Sequence, residues 1–355
     1  MYYDIRIAYS DPQVTMSRNK AAWLTRAKTY PLKVDDAPFP TAGPGEVVIK
    51  NVVTALNPAE WKIQDMGIIV QNYPTILGAD AAGFIEEVGD GVTHVKRGQR
   101  VTGYCTGLGK QNHEFGTFQL YSKADANLIS PIPDDMSFES ASALPLAIAT
   151  AAVGLYKKQH LGLPLPSLNT RRTGKTILIW GGASSVGGTA VQLAVASGLR
   201  VVTTASQRNF DKVLELGAEV VLDYHSDTLV HDALKALSGA DLVGVYDAIS
   251  GPESLSPIGA ILDQIGRRRV TVVLPTEGDY GKNVEISMMT AYQITQDPEE
   301  VQNPVWGDFV PGALRNGQLK PKPDAEVVGK GLESIQAGLD VLKQGVSATK
   351  LVIQL

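Results

Sequence analysis

Residues 177–188 read Ile-Leu-Ile-Trp-Gly-Gly-Ala-Ser-Ser-Val-Gly-Gly and carry the strongest structural signal in the chain. The apolar run at 177–180 predicts a buried strand, and the small residues after it allow a tight turn. Residues 189–198 then repeat apolar side chains at helical spacing. A strand, a small-residue turn and a helix in this order direct free backbone N–H groups and the positive end of a helix dipole at one point. Such a turn is typical of a phosphate-binding loop.

A second apolar run, at residues 200–205, bears on the kind of dinucleotide that this turn would hold. In dinucleotide-binding folds, a strand that ends here in Asp or Glu binds the ribose hydroxyls of NAD and repels a phosphate. This run ends instead in hydroxyl, amide and guanidinium donors, namely Ser206, Gln207, Arg208 and Asn209. The sequence therefore predicts NADPH as the cofactor. Two alternatives stay open: the small residues of the turn serve packing alone, and Arg208 is a solvated surface charge.

Length and composition limit the classes of protein that this chain can belong to. At 355 residues it exceeds the ~250–300 residues at which a single core usually divides, so two domains are expected. Its 44% hydrophobic and 19% charged residues are those of an ordinary globular protein. The formal net charge of -5 and the absence of a Lys/Arg block argue against nucleic acid or an anionic membrane as the main partner.

Cysteine content and hydropathy bear on the compartment. Cys105 is the only cysteine, which rules out an intramolecular disulfide and a zinc site made of cysteines alone. No apolar stretch is expected to approach the ~18 residues of a membrane span. Residues 1–20 show no apolar region of a signal peptide, and Met16 is an alternative start. We therefore predict a cytoplasmic protein that has no membrane segment.

The periodicity of apolar residues changes along the chain. Residues 20–145 alternate short β-like runs with Gly and Pro, and Ser137 is the expected N-cap of a helix that follows them. Strands are expected in this part at 46–54, 81–88 and 116–122. From 149 to 290 strands and helices alternate, which is typical of a doubly wound sheet. Strands are expected there at 177–180, 201–205, 220–222, 243–247 and 270–274.

We predict an α/β fold with two domains. A β-rich domain comprises residues 1–148 and 291–355, because the β-like end at 350–354 is expected to return to the first part of the chain. A doubly wound parallel-sheet domain comprises residues 149–290.

Several short motifs together resemble the medium-chain dehydrogenase/reductase superfamily over essentially the whole chain. The resemblance lies in their order and spacing: Asn57-Pro58-Ala59-Glu60, Gly78-Ala79-Asp80-Ala81-Ala82-Gly83, Gly98-Gln99-Arg100-Val101, Ala143-Leu144-Pro145, the turn at 181–187 and Leu216-Gly217-Ala218. It implies a GroES-like catalytic domain and a Rossmann NADP(H)-binding domain.

Within that superfamily the chain resembles the zinc-independent branch of quinone and enoyl reductases. Zinc alcohol dehydrogenases place Cys where Asn57 stands, His where Ala79 stands and a second Cys near Leu146. Asn, Ala and Leu cannot together supply the three ligands of a catalytic zinc ion, so no metal is expected. More narrowly, residues 57–62, 161–167 and 205–211 resemble fungal trans-acting enoyl reductases of polyketide pathways and related fungal zinc-binding-type oxidoreductases.

The resemblance also implies a set of site residues. Lys62 and Thr150 would face the substrate, and Asn57 is the third catalytic candidate. The implied cofactor contacts are Pro58, Ala59, Glu60, Trp61, Thr150, Gly182, Ser184, Ser185, Val186, Gly187, Ser206, Gln207, Arg208, Asn209, Tyr224, Leu274, Pro275, Lys350 and Leu351.

Other interpretations of these candidates stay open. In these interpretations Lys62 would be an ordinary solvated lysine, and Thr150 would cap or pack a helix. Asn57 would only stabilise its turn through hydrogen bonds to the backbone. Asp80 is expected to hold the fold rather than perform acid–base work, and Tyr73 cannot be assigned a role.

These residues predict an NADPH-dependent, metal-independent reductase of activated C=C bonds. Donors aimed at the carbonyl oxygen would stabilise the charge that builds there, and a proton would reach the α-carbon from a side chain or water. The substrate would be a small enone or a carrier-borne enoyl group, with a polyketide synthase as partner and a monomer or homodimer as the assembly. Two alternatives are a quinone or small-enone detoxification reductase and a catalytically silent NADPH-binding protein. A carrier-borne substrate would need a basic patch, for which Lys157-Lys158 and Arg171-Arg172 are candidates.

Overall fold

The computed structural model describes residues 18–355. Residues 1–17, which include Met16 and most of the segment considered as a signal peptide, lie outside the described residues. The strands of the described range are β1 (Asn19–Leu24), β2 (Lys33–Ala37), β3 (Glu46–Ala55), β4 (Thr75–Ile76), β5 (Asp80–Val88), β6 (Arg100–Tyr104), β7 (Tyr121–Asp125), β8 (Ile129–Pro131), β9 (Lys175–Trp180), β10 (Arg200–Ala205), β11 (Val220–Asp223), β12 (Asp241–Asp247), β13 (Arg268–Val272), β14 (Val284–Met288), β15 (Asp324–Lys330) and β16 (Thr349–Gln354).

The α-helices of the same range vary from single turns to the long helix after β12. They are α1 (Pro58–Met66), α2 (Gly107–Lys110), α3 (Phe138–Ser142), α4 (Pro145–Tyr156), α5 (Ser185–Ala196), α6 (Phe210–Leu214), α7 (Leu229–Leu237), α8 (Pro252–Ile265), α9 (Val310–Asn316) and α10 (Ile335–Lys343). Ser137 caps α3 as expected, because its Oγ accepts the backbone N–H of Ser140 at 3.1 Å.

One sheet is wholly parallel and has the order β11-β10-β9-β12-β13-β14. Counted from β9, this is the strand order of dinucleotide-binding folds. Ile177 and Ile179 of β9 pack into an apolar cluster on one face, and Leu178 and Trp180 pack into another cluster on the other face. A strand buried on both faces has a continuous apolar sequence, which explains the signal at 177–180. The predicted α/β class is confirmed.

The second large sheet is mostly antiparallel and brings the end of the chain back to its beginning. Its order is β15-β16-β3-β5-β6-β8, with β7 also paired to β3. The last strand, β16, lies antiparallel to β3, with Val352 opposite Ala55. This pairing places Lys350 of β16 close to Asn57, which follows β3. A smaller sheet, β2-β1-β4, completes this part.

Two strand predictions need correction, and one strand of the parallel sheet was missed. The strand expected at 116–122 begins only at Tyr121, because the amide of Gln119 donates to the carbonyls of His113, Glu114 and Gly116 and holds the chain in a turn. The strand expected at 270–274 lies at Arg268–Val272. The edge strand β14 was not predicted at all, because its half-exposed residues alternate too briefly to give a clear pattern.

Helix α4 joins the two large sheets. It packs in one apolar cluster with Tyr104 of β6 and Ile177 of β9. The boundary expected between residues 148 and 149 falls inside this helix, and the division into domains stays a prediction. The segment Phe138–Tyr156 has a mean hydropathy of 1.4 and by length and composition could cross a membrane, contrary to the expectation from sequence. Since 78% of its apolar window is buried inside the fold, it has the character of a core helix.

Candidate functional site

The turn between β9 and α5 has the backbone geometry that its small residues predict. Gly181 has φ = 81°, in the left-handed region that favours glycine. A Cβ at Gly187 would lie 2.1 Å from the carbonyl oxygen of Gly181, so only glycine lets the helix approach the strand this closely. Ser184 is the N-cap of α5, and its Oγ accepts the backbone N–H of Gly187 at 3.0 Å. Gly182 is buried, whereas Ser185 and Val186 are half-buried on the first turn of the helix.

A cleft of about 510 Å³ opens beside this turn, at the carboxyl ends of β9 and β10. In open α/β sheets this edge is where ligands bind. Gly181 and Ser184 line one side of the cleft, and Ser206 and Tyr224 line another. The loop at 346–348, just before β16, lines a further part. The volume lies within the range of small-molecule and cofactor sites.

The structure separates the residues at the end of β10 that the sequence grouped together. Ser206 is half-buried and lines the cleft, whereas Gln207 and Arg208 are exposed and are not among its lining residues. Asn209 is buried, and its Nδ2 donates to Ser206 Oγ at 3.0 Å and to Ser347 Oγ at 3.2 Å. Asn209 therefore ties two walls of the cleft together.

Two further features of the cleft were not predicted from sequence. Glu253, in the first turn of α8, places a carboxylate among the lining residues. Ala348 has φ = 48°, an unusual backbone conformation for a residue with a side chain. An acidic residue in the turn after a parallel strand could have been noticed in the sequence, but the contribution of residues 346–348 depends on the return of β16 to β3.

Helix α1 carries the next group of candidates. Pro58 and Ala59 are exposed at its start, and Lys62 is half-buried with its Nζ 5.6 Å from the ring centre of Trp61. Lys343 of α10 lies 5.8 Å from the same ring. Two ammonium groups thus lie within cation–π range of one indole.

Thr150 is 8% exposed, and its Oγ donates to the carbonyl oxygen of Leu146, one turn earlier in α4, at 2.6 Å. The hydroxyl of Tyr246 in turn donates to the carbonyl oxygen of Thr150 at 3.1 Å. In this arrangement the Thr150 hydroxyl can accept a hydrogen bond, and it can donate to a ligand only after rotating away from Leu146.

Asn57, Asp80 and Lys350 form a buried polar network behind α1. Asn57 Nδ2 donates to Asp80 Oδ2 at 2.8 Å, and Lys350 Nζ donates to Asn57 Oδ1 at 2.5 Å. Lys350 Nζ also lies 3.1 Å from Asp80 Oδ2. The other oxygen of Asp80 accepts the backbone N–H of Leu146 at 2.6 Å. Asp80 therefore ties β5 to the first turn of α4, as a residue that holds the fold would do.

Glu60 completes this network as a buried carboxyl group whose surroundings favour its protonated form. It is 1% exposed, and its Oε2 accepts the backbone N–H of Asn57 at 2.5 Å. Burial raises the pKa of Glu60 to about 8, with a further rise from the charge of Asp80 and an opposing effect of Lys350. With Glu60 neutral, Asp80 and Lys350 are the charged pair of the network.

The three positions compared with zinc ligands all lie around Asp80. Asn57 binds its carboxylate, Ala79 precedes it in the chain, and Leu146 donates its N–H to it. An amide, a methyl group and an isobutyl group do not form a zinc site. Among residues 18–355, no group of three or more His, Cys, Asp or Glu side chains is placed to hold a metal ion.

The remaining candidates lie further from the cleft or have other partners. Leu274 is half-buried and Pro275 is exposed in the loop after β13, and Leu351 has its side chain in the core. Lys157 is 3% exposed and pairs with Glu300 at 3.1 Å, so it cannot contribute to a basic surface patch. Cys105 is buried, and burial raises the pKa of its thiol to about 12.

Comparison with known proteins places this fold and site in a family. Residues 43–134 match the alcohol dehydrogenase GroES-like domain, and residues 185–291 match the zinc-binding dehydrogenase family. The chain is 42% identical over 337 residues to the trans-enoyl reductase himH of Aspergillus japonicus, covering 95% of this chain and 97% of that protein.

Two solved structures extend this similarity. An alcohol dehydrogenase superfamily protein from Novosphingobium aromaticivorans has a TM-score of 0.76 and 26% identity, covering 95% of this chain and 99% of the other. The quinone oxidoreductase from Coxiella burnetii has a TM-score of 0.69 and 25% identity, covering 96% and 100%. The expected resemblance is confirmed: this chain is an oxidoreductase of the medium-chain dehydrogenase/reductase superfamily and belongs to the branch that contains the fungal trans-enoyl reductases and the quinone oxidoreductases.

Proposed function

We propose that this protein is an NADPH-dependent, metal-independent reductase of activated C=C bonds that acts as a trans-acting enoyl reductase in fungal secondary metabolism. The observation that carries this proposal is the 42% identity to a trans-enoyl reductase over nearly the full length of both chains. The substrate would be an α,β-unsaturated carbonyl compound or an enoyl thioester, either free or held by the carrier domain of a polyketide synthase. We place it in the cytoplasm, as a monomer or homodimer.

The cofactor preference is supported by the donors around the cleft. Ser206 and Tyr224 line the wall next to the end of β10, and Arg208, two residues after Ser206, is exposed. An exposed guanidinium is free to turn toward a 2′-phosphate, with which it forms strong charge-assisted hydrogen bonds. Glu253 is the carboxylate of the cleft, but it belongs to α8 rather than to the end of β10, where an acid would select NAD.

Metal independence is supported by the network around Asp80. A catalytic zinc ion needs three protein ligands and an open position. At the corresponding place this chain offers the carboxylate of Asp80, which is already paired with Lys350, and the buried carboxyl of Glu60, which is bonded to Asn57. The proposed chemistry therefore uses no metal.

The residues of α1 and α4 would act on the substrate. Bound NADPH would supply a hydride to the β-carbon of the enoyl group. Lys62, half-buried on α1, would place a cation near the carbonyl oxygen, where negative charge builds up. Thr150 would accept a hydrogen bond while its hydroxyl donates to Leu146, or would rotate to donate. The proton for the α-carbon would come from water or from a side chain.

Oxidation of NADPH, followed by the absorbance of the reduced cofactor, tests this function directly. Enoyl thioesters, simple enones and quinones would each be offered at matched concentrations. We expect the enoyl thioesters to have the highest kcat/KM. Higher kcat/KM for quinones would favour the detoxification reductase, and tight NADPH binding without turnover of any of the three classes would favour the catalytically silent protein.

A further inference from the structure

Lys350 is a buried cation close to the end of the chain. It lies on β16 and is 5% exposed. Its Nζ contacts Asn57 Oδ1 at 2.5 Å and Asp80 Oδ2 at 3.1 Å. A buried ammonium is costly unless it is paired and hydrogen-bonded, and both conditions are met here. A cofactor contact through this ammonium would require it to leave those two partners.

The partners of Lys350 belong to elements that carry the candidate catalytic side chains. Asn57 stands at the start of α1, five residues before Lys62. Asp80 begins β5, and through the N–H of Leu146 it holds the first turn of α4, one turn before Thr150. One ammonium thus joins the last strand of the chain to α1 and, through Asp80, to α4.

The groups around the Lys350 ammonium show why its pairing with Asp80 is needed. Asp80 is fully buried, and Glu60 lies beside it with its own hydrogen bonds to Asn57. Tyr104 of β6 lies opposite Asp80 in the pairing of β5 with β6. If the ammonium were lost, Asp80 would remain buried next to Glu60 with no counter-charge. Removing one partner of a buried ion pair is strongly destabilising, because the other charge is left buried without compensation.

We propose that Lys350 is a positioning residue whose ammonium holds Asn57 and Asp80, and thereby fixes Lys62 and Thr150 relative to each other across the site. This role rests on the proposed function, because Lys62 and Thr150 are its catalytic candidates. A displacement of about 1 Å in a catalytic site can reduce the rate ~100-fold.

Chemical rescue gives a readout that a purely structural role would not move. Lys350→Ala leaves a space in which a small alkylammonium ion can replace the missing ammonium. We expect kcat to fall at least ~10-fold on whichever substrate the wild type reduces, with the Kd of NADPH changed less than ~3-fold. Ethylammonium or propylammonium should restore part of kcat, whereas propanol, which has the same shape but no charge, should not. Lys330→Ala, at an exposed lysine on the neighbouring strand β15, is the matched control and should leave kcat unchanged.

A second variant keeps the test decisive if Lys350→Ala does not fold. The double variant Lys350→Met with Asp80→Asn removes both charges together and should fold, but it should still lose kcat. Full activity of this double variant, or a failure of alkylammonium ions to raise kcat in folded Lys350→Ala, would overturn the positioning role.

Amide hydrogen exchange separates this role from the proposed function. If the wild type turns over no substrate, the function fails, but exchange at residues 57–66 and 145–150 still reports on positioning. Lys350→Ala should speed exchange in these two segments, and propylammonium should slow it again. Unchanged exchange in both segments would refute the positioning role whatever the activity is.

Discussion

Glu60→Gln should flatten the dependence of stability on pH. Glu60 is buried, and its carboxylate accepts the N–H of Asn57. Burial and the charge of Asp80 raise the pKa of this carboxyl from its ordinary 4.5 to about 8. Between these two values the folded protein keeps a proton that the unfolded chain releases. The amide of the variant cannot titrate, although its oxygen can still accept the N–H of Asn57.

The sign and size of the effect follow from linkage. Because the folded pKa of Glu60 lies above the unfolded one, its contribution to stability is complete below pH 4.5 and is lost as the pH rises toward 8. Each pKa unit corresponds to about 1.4 kcal/mol, so the rise from 4.5 to about 8 is worth roughly 5 kcal/mol. About 3 kcal/mol of this is lost between roughly pH 5 and 7.5.

Urea unfolding at these two pH values, followed by tryptophan fluorescence and far-UV circular dichroism, measures the difference. From the lower to the higher pH, the free energy of unfolding should fall by about 3 kcal/mol more in the wild type than in Glu60→Gln. Glu333→Gln changes an exposed carboxyl and should follow the wild type. Parallel curves for the wild type and Glu60→Gln would show that Glu60 is ionised in the folded protein and would refute this reasoning.

Three further outcomes test the site. Arg208→Ala should weaken NADPH binding at least ~10-fold and leave NADH binding nearly unchanged, measured by fluorescence titration, whereas Arg172→Ala, at an exposed loop position, should change neither. Elemental analysis should find zinc far below one ion per chain, and a chelator should leave NADPH oxidation intact; stoichiometric zinc required for turnover would contradict this. Lys62→Ala should lower kcat for an enoyl substrate by ~100-fold or more, with little change in NADPH binding. Thr150→Val should also lower kcat, but by a smaller factor, because the Thr150 hydroxyl donates within its own helix. Near-wild-type rates in both variants would remove these roles.

The Rossmann part could be predicted because its signals are local. The run at 177–180 is apolar on both faces of β9, and the glycines of the following turn meet steric limits that act over a few residues. The prediction of a strand at 116–122 was wrong because the start of this strand depends on a side-chain contact, not on local periodicity. Its pattern is β-like, but the side-chain amide of Gln119 lies within hydrogen-bond distance of three backbone carbonyls and holds the chain in a turn. Periodicity contains no information about such a side-chain contact.

The buried network could be predicted only in part. Asn57 and Asp80 were found through short motifs, and Asp80 was expected to hold the fold. That Lys350 meets both of them depends on a pairing between strands almost 300 residues apart in the chain, Val352 with Ala55. Arg208 shows a different limit of sequence-based prediction. The end of β10 was identified correctly, but the strand pattern does not determine the direction of an exposed side chain there.

Whether this protein can bind zinc depends on the network around Asp80 more than on its match to the zinc-binding dehydrogenase family. The match to the zinc-binding dehydrogenase family covers residues 185–291, which include none of Asn57, Ala79 and Leu146. A zinc ion bound to Asp80 Oδ2 at about 2 Å would lie at most about 5 Å from Lys350 Nζ, because the ammonium is 3.1 Å from the same oxygen. At that distance a dication and an ammonium repel each other by roughly 7 kcal/mol at the effective dielectric constant of about 20 that suits protein sites. Asp80 can thus hold either a protonated lysine or a metal ion, and with Lys350 in this position the lysine has the advantage.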